Sequence, residues 1–322
     1  MPIVSASTYK SPRFLSNGHV QTLLPSLIRR VSGVHYERER IPTPDNDFLD
    51  LDWARIGSRK LAVLAHGLEG DSKRHYMLGM VRALAKRGWD AVAWNARGCS
   101  GEPNRVLRFT HSGATEDLQT VISHVTSTCD YPDIALIGFS LGGNLTLKYL
   151  GERGRQLHRR IKTAAAFSVP CDLQSSSIQL AQPANRLYMR RFLITLHDKI
   201  RAMMKAMPRQ IDDVGYERMR SFKDFDDRYT APIHGFKDAE DYWRRCSSRP
   251  FLKSIQIPTL LVNAQNDPFL ADRCYPIEDA EQNPKLFLEI PATGGHVGFI
   301  GFNKGGEYWS ETRAVHFLAA AI

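Results

Sequence analysis

The residues in this chain best suited to act together begin with Gly138-Phe139-Ser140-Leu141-Gly142. Glycines two positions to either side of a serine suit a sharp turn from strand to helix, where side chains at those positions would clash as the two backbones close up. Such a turn leaves the hydroxyl exposed at a helix N-terminus. There the Leu141 amide can stabilise the oxyanion that develops during acyl transfer. A serine is a weak nucleophile by itself, so it needs a neighbouring base, and the base needs an acid to orient it.

In the fold that carries this turn the partners follow in the order serine, acid, histidine. Of eleven histidines, His296 in Gly294-Gly295-His296 lies just past the last candidate strand, in a loop loose enough to reach the same sheet edge. His316 falls in the terminal helix as a packing or surface residue, and His111 precedes the serine as a loop residue. For the acid, Asp267 in Asn266-Asp267-Pro268 is preferred, because Asp-Pro supplies a short rigid turn. The rival is Asp172, which follows the preceding strand in Ser168-Val169-Pro170-Cys171-Asp172. His66-Gly67-Leu68-Glu69-Gly70 ends an earlier apolar run. Its Leu68 amide is expected as a second oxyanion donor, and His66 as a structural residue.

These loops need a scaffold with one functional edge. Short apolar runs at 61–65, 91–94, 134–137, 164–169, 259–262 and 286–290 alternate with helix-like stretches at 74–86, 115–128, 141–151, 271–281 and 307–321. Strands alternating with helices predict a mostly parallel central sheet flanked by helices, an α/β-hydrolase fold. Thr43-Pro44-Asp45-Asn46-Asp47 between apolar residues predicts a hairpin ahead of it. The alternation stops after Val169 and resumes near Pro258. The expectation is a single domain over 1–322 with a helical cap inserted at about 172–250.

The composition suits a soluble globular chain: 43% of residues are hydrophobic and 24% charged. Five cysteines without Cys-x-x-Cys spacing argue against a disulfide framework or a zinc knuckle and for a reducing compartment. Met1 to Leu15 has no signal-like apolar core, and no stretch approaches the roughly 20 apolar residues that cross a bilayer. A cytoplasmic location is expected. The net charge of +9 admits anionic lipid or nucleic acid, but no nucleic-acid-binding motif accompanies it.

Beyond the serine turn, the chain resembles the YheT-type branch of the α/β hydrolases, a family of esterases that includes eukaryotic membrane-associated lipid hydrolases. The resembling segments are Gly18-His19-Val20-Gln21-Thr22, His66 to Gly70, Asn95-Ala96-Arg97-Gly98-Cys99-Ser100-Gly101, His111-Ser112-Gly113, Gly138 to Asn144 and Asp241-Tyr242-Trp243. They run through nearly the whole chain. The resemblance implies hydrolysis of small-molecule carboxylic esters, of short or medium acyl chains or of lipids, without metal or organic cofactor. Some eukaryotic relatives carry a membrane anchor, and none is expected in this chain. A thioesterase or amidase would use the same three residues, and a non-catalytic binding module would be expected to have lost some of them.

One stretch bears on substrate and location. Met189, Phe192, Leu193, Leu196, Ile200, Met203, Met204 and Met207 recur near helical spacing, predicting an apolar stripe whose methionines would adapt an acyl pocket to flexible chains. Arg186, Arg190, Arg191, Lys199, Arg201, Lys205 and Arg209 are expected on the opposite face. That face could make peripheral contact with an anionic membrane. Acyl length, leaving group and oligomeric state stay open.

Overall fold

The computed structural model describes residues 3–303 and 305–321; Met1 and Ile322, the ends of the 1–322 domain assignment, lie outside the described residues. Among these, eight strands form one sheet in the order β1-β2-β4-β3-β5-β6-β7-β8. They are β1 (Glu37–Pro42), β2 (Phe48–Ala54), β3 (Lys60–Ala65), β4 (Asp90–Asn95), β5 (Asp133–Phe139), β6 (Ile161–Phe167), β7 (Thr259–Val262) and β8 (Leu286–Glu289). β1 and β2 form the expected hairpin, and β2 runs antiparallel to β4. From β4 to β8 every pairing is parallel. This is the α/β-hydrolase architecture.

Strand alternation divides the core into two layers. Leu61, Val63 and Ala65 of β3 face a cluster completed by α3 (Thr115–Thr128) and α4 (Leu141–Arg153). Ala62 and Leu64 face the opposite cluster, completed by α2 (His75–Ala85) and the C-terminal helix α11 (Trp309–Ala321). Because a strand's successive side chains point to opposite faces, burial on both requires near-continuous apolar runs, and these are what marked the strands in the sequence.

One expectation about helices needs correction, and one helix was not foreseen. The stretch 271–281 is not one helix: a 3₁₀ turn at Asp272–Cys274 is followed by α10 (Ile277–Gln282), with Pro276 between them at the N-cap. Proline lacks the amide that a continuous helix needs there, and its ring clashes with the preceding turn. Conversely, Gly18–Ile28 forms a helix, α1, that apolar periodicity did not announce; Asn17 caps it by accepting from the His19 and Val20 amides.

Between β6 and β7 the chain is helical: α5 (Leu173–Leu180), α6 (Arg186–Ala206), α7 (Phe222–Phe225), α8 (Ala231–His234) and α9 (Ala239–Cys246), with a π-helical turn at Asp226–Thr230. In α6 the stripe is real, with Met189, Leu193, Leu196, Ile200 and Met203 buried, but Met207 lies beyond the helix end. All five cysteines are free thiols. Among the described residues, no helix is long and apolar enough to cross a membrane.

Candidate active site

β5 ends at Phe139 and α4 begins at Leu141, so Ser140 alone makes the turn, at φ 53° and ψ −118°. A non-glycine residue is rarely held in such a conformation, and the surrounding packing must impose it. Here the cause is close approach of backbones. A Cβ on Gly142 would fall on the carbonyl oxygens of Ala65 and His66, and one on Gly138 would fall on the Gly142 carbonyl. The strand-to-helix turn therefore presses against the end of β3 and the loop after it.

The structure brings the serine, His296 and Asp267 together from three separate loops. His296 Nε2 lies 2.8 Å from Ser140 Oγ, and His296 Nδ1 lies 2.9 and 3.1 Å from the two Asp267 carboxylate oxygens. The Asp267 side chain is fully buried and accepts a further bond from the Phe269 amide at 2.9 Å. The Phe269 ring stands 4.2 Å from the imidazole, closing that side to water. Asp172 is elsewhere: it caps α5 through the Ser175 amide and pairs with Arg273 at 2.8 Å.

The histidine loop is held by α1, through the segment Gly18-His19-Val20-Gln21-Thr22. Thr22 Oγ1 donates to the Gly18 carbonyl and accepts from the His296 amide at 2.9 Å. Gly295, at φ 58°, lies so close that a Cβ would meet the Gly18 carbonyl at 2.6 Å. Asn266 reaches from the acid loop to bond the Gly295 amide at 3.0 Å.

The loop after β3 packs on the serine. Gly67 donates its amide to Tyr76 Oη at 3.0 Å, and Gly70 closes a turn onto the Gly67 carbonyl at 2.9 Å. Leu68 and Leu141 both face the cavity beside Ser140, and among the described residues neither amide meets an acceptor. His66 is structural: its Nδ1 lies 2.8 Å from the Gly67 carbonyl and its Nε2 accepts from the Ala96 amide at 3.0 Å. A neutral imidazole satisfies both, and burial pushes its pKa down to about 4.

Three features were not read from the sequence. Lys199 is not on the basic outer face: it is buried and pairs with Glu69 of the 66–70 loop at 2.5 Å. The methionines of α6 do not line the cavity; its wall there is Phe192 and Leu196, continued by Phe109, Phe225 and Phe269. The stripe turned its methionines into the packing behind that wall. His111 is in a loop, as expected, but it is buried in the cavity lining against His234, with ring centroids 4.4 Å apart. Burial, and then His234, holds its pKa well below the ordinary value.

Asp226 also lines the cavity, bonded by Thr230 Oγ1 at 2.6 Å and Trp243 Nε1 at 2.8 Å. Burial raises its pKa to about 7, against those two bonds. Between about pH 4 and about pH 7 the folded chain holds a proton that the unfolded chain has released, so this group's contribution to stability declines as pH rises through that window. His66, His75 and His234, held near about 4 by burial, act oppositely and cost stability as pH falls below their unfolded value. Asp226→Asn should therefore melt progressively higher relative to wild type on going from about pH 5 to about pH 8. A pH-independent difference in thermal midpoint would remove this assignment.

The sheet order, the strained serine turn and the serine–histidine–carboxylate chain define an α/β hydrolase. Residues 57–273 match the family described as serine aminopeptidase, S33. The chain is 36% identical to the Escherichia coli (strain K12) protein named "Putative esterase YheT", over 99% of this chain and 95% of that one. It is 34% identical to "Phospholipase ABHD3" of Homo sapiens, over 93% of this chain and 75% of the relative. The esterase Pf2001 of Pyrococcus furiosus shares the fold, with a TM-score of 0.59, 19% identity and coverage of 91% and 98%. The chain belongs to the α/β-hydrolase family that contains YheT and ABHD3, and it is an esterase-type hydrolase.

Proposed function

We propose that the chain cleaves carboxylic esters of short- to medium-chain acyl groups or of lipids through an acyl-enzyme on Ser140. The observation that carries this reading is the 2.8 Å contact between His296 Nε2 and Ser140 Oγ at the mouth of an apolar cavity. His296 takes the serine proton as Oγ attacks the carbonyl, Asp267 stabilises the imidazolium, and the Leu68 and Leu141 amides receive the oxyanion. Each such donor typically contributes about 3 kcal/mol to the transition state. His296 then protonates the leaving oxygen and later activates the water that frees the acyl group. The names of the relatives, an esterase and a phospholipase, favour the same substrate class. Labelling with a fluorophosphonate probe, followed by turnover of nitrophenyl esters of increasing acyl length, tests the reading. No label on Ser140 would end it.

In the same reading the chain is one domain and residues 172–250 form a cap over the cavity. Lys199 of α6 gives that cap a second task, because its bond to Glu69 ties it to the loop carrying Leu68. Lys199→Met should lower kcat by up to about 100-fold with a smaller change in KM, since the oxyanion donor is displaced. The variant also leaves a buried carboxylate unpaired and should lose stability. Adding Glu69→Gln should return the stability without returning kcat. Recovery of both would reduce the pair to a structural tie.

The cap also presents exposed Leu187 and Ile194 beside Arg186, Arg190 and Arg191, which supports transient contact of a cytoplasmic protein with an anionic membrane. Cosedimentation with anionic vesicles, lost at moderate salt and absent with neutral ones, is the expected result. Equal binding to both would remove this contact from the proposal.

A further inference from the structure

Ser140 and His296 stand between two spaces of opposite character. One is the apolar cavity walled by Phe109, Leu180, Leu196 and Phe225. The other is an open groove bounded by α1, the 67–78 stretch and α6, with Ser140 and His296 at its base. An ester carbonyl held at Ser140 sends its acyl and alkoxy arms in different directions. The apolar cavity suits the acyl arm, so the alkoxy arm occupies the groove.

The groove is lined by Arg30, Lys73, Arg74 and Arg191, all exposed. Among the described residues none of the four pairs with a carboxylate. Two of the other charges nearby are already paired. Arg29 in the same wall is bonded to Glu311 at 2.6 Å, and Glu69, the carboxylate in the lining, is bonded to Lys199. Asp71, outside the lining, accepts from the Lys73 amide at 2.8 Å and keeps its charge. Arg74 touches the Glu69 carbonyl oxygen at 2.7 Å, a neutral acceptor. Four cations thus surround one opening against a single unpaired carboxylate nearby, Asp71, and the net positive charge is relieved by a bound anion.

We propose that the groove binds the alcohol half of the substrate and that this alcohol carries a phosphate group. The proposal rests on the esterase reading and names the leaving group. In the step it describes, Ser140 Oγ bonds to the acyl carbon and the carbon–alkoxy bond breaks. The proton that His296 took from the serine passes to the departing oxygen, and a phosphorylated alcohol is released. Guanidinium groups suit this ligand because they meet phosphate oxygens two at a time. A phosphate-bearing alcohol can come from a lipid or from a soluble ester, and the chain length of the acyl arm separates those sources.

The test compares monooctanoylglycerol with its phosphate ester, and monobutyrylglycerol with its phosphate ester, so that only the phosphate differs within a pair. The phosphorylated member should have the higher kcat/KM by about tenfold or more in both pairs, and the advantage should shrink between about 0.05 M and about 0.5 M salt. An advantage confined to the octanoyl pair assigns the phosphate to a lipid headgroup. The charge-reversed variant Arg30→Glu/Arg191→Glu should bring the ratio within a pair towards one. As a binding readout, glycerol phosphate, and not glycerol, should slow fluorophosphonate labelling of Ser140. Equal kcat/KM within both pairs, or a ratio untouched by charge reversal, would overturn the groove's role while leaving the esterase standing. Absence of labelling and of all four turnovers would overturn the esterase reading itself, and this proposal with it.

Discussion

Ser140→Ala is expected to reduce ester turnover by roughly 10⁴ to 10⁶, the scale on which loss of the nucleophile acts in enzymes of this mechanism. The residue makes no cap bond to α4, so the fold does not depend on its hydroxyl. Alanine must adopt the same φ of 53°, which the backbone contacts of Gly138 and Gly142 continue to impose. Circular dichroism and thermal midpoint should accordingly stay close to wild type while nitrophenyl ester hydrolysis disappears. A variant retaining more than a tenth of wild-type turnover would remove Ser140 from the role of nucleophile.

Asp267→Asn should cost about 10⁴ in turnover through the tautomer of His296 rather than through lost packing. The carboxylate accepts from Nδ1 with both oxygens, which leaves Nε2 free of hydrogen and facing Ser140 Oγ. An amide turned to keep the Phe269 N–H bond offers its NH₂ to Nδ1, and the imidazole then carries its proton on Nε2, where it can no longer accept one. Asp172→Asn provides the contrast. It weakens a cap and a pair with the exposed Arg273, which should change stability slightly and turnover little. Measuring kcat/KM for the two variants side by side decides between the acids, and the opposite ranking would move the acid to Asp172.

Much of this protein was readable from local signals. Strand positions followed from apolar runs because strands of a parallel sheet are buried on both faces, and β3 to β8 lie within a few residues of where those runs put them. Ser140 was marked by glycines whose absence of side chain is required within five residues of chain. Asp267 and His296 were located by order and by their position after β7 and β8, since residues that follow parallel strands gather at one sheet edge.

What the sequence could not settle are contacts between segments far apart in the chain, where a residue's neighbour rather than its own pattern determines its task. Helical periodicity marked the apolar stripe of α6 but not which part of it meets the cavity. Docking against Phe109, Phe225 and Phe269 placed Phe192 and Leu196 on the wall and the methionines behind it. The same docking carried Lys199 inward to Glu69, 130 residues earlier, overriding the solvation that keeps an isolated lysine outside. The helix α1, with its Pro25, had no periodic signal, and its task of holding Gly295 and His296 exists only because the chain's two ends meet. The serine turn was legible from residue types because its backbone geometry is local. The pocket wall, the Lys199–Glu69 pair and the support of the histidine loop were decided by tertiary packing, because each depends on which distant surface a segment is pressed against.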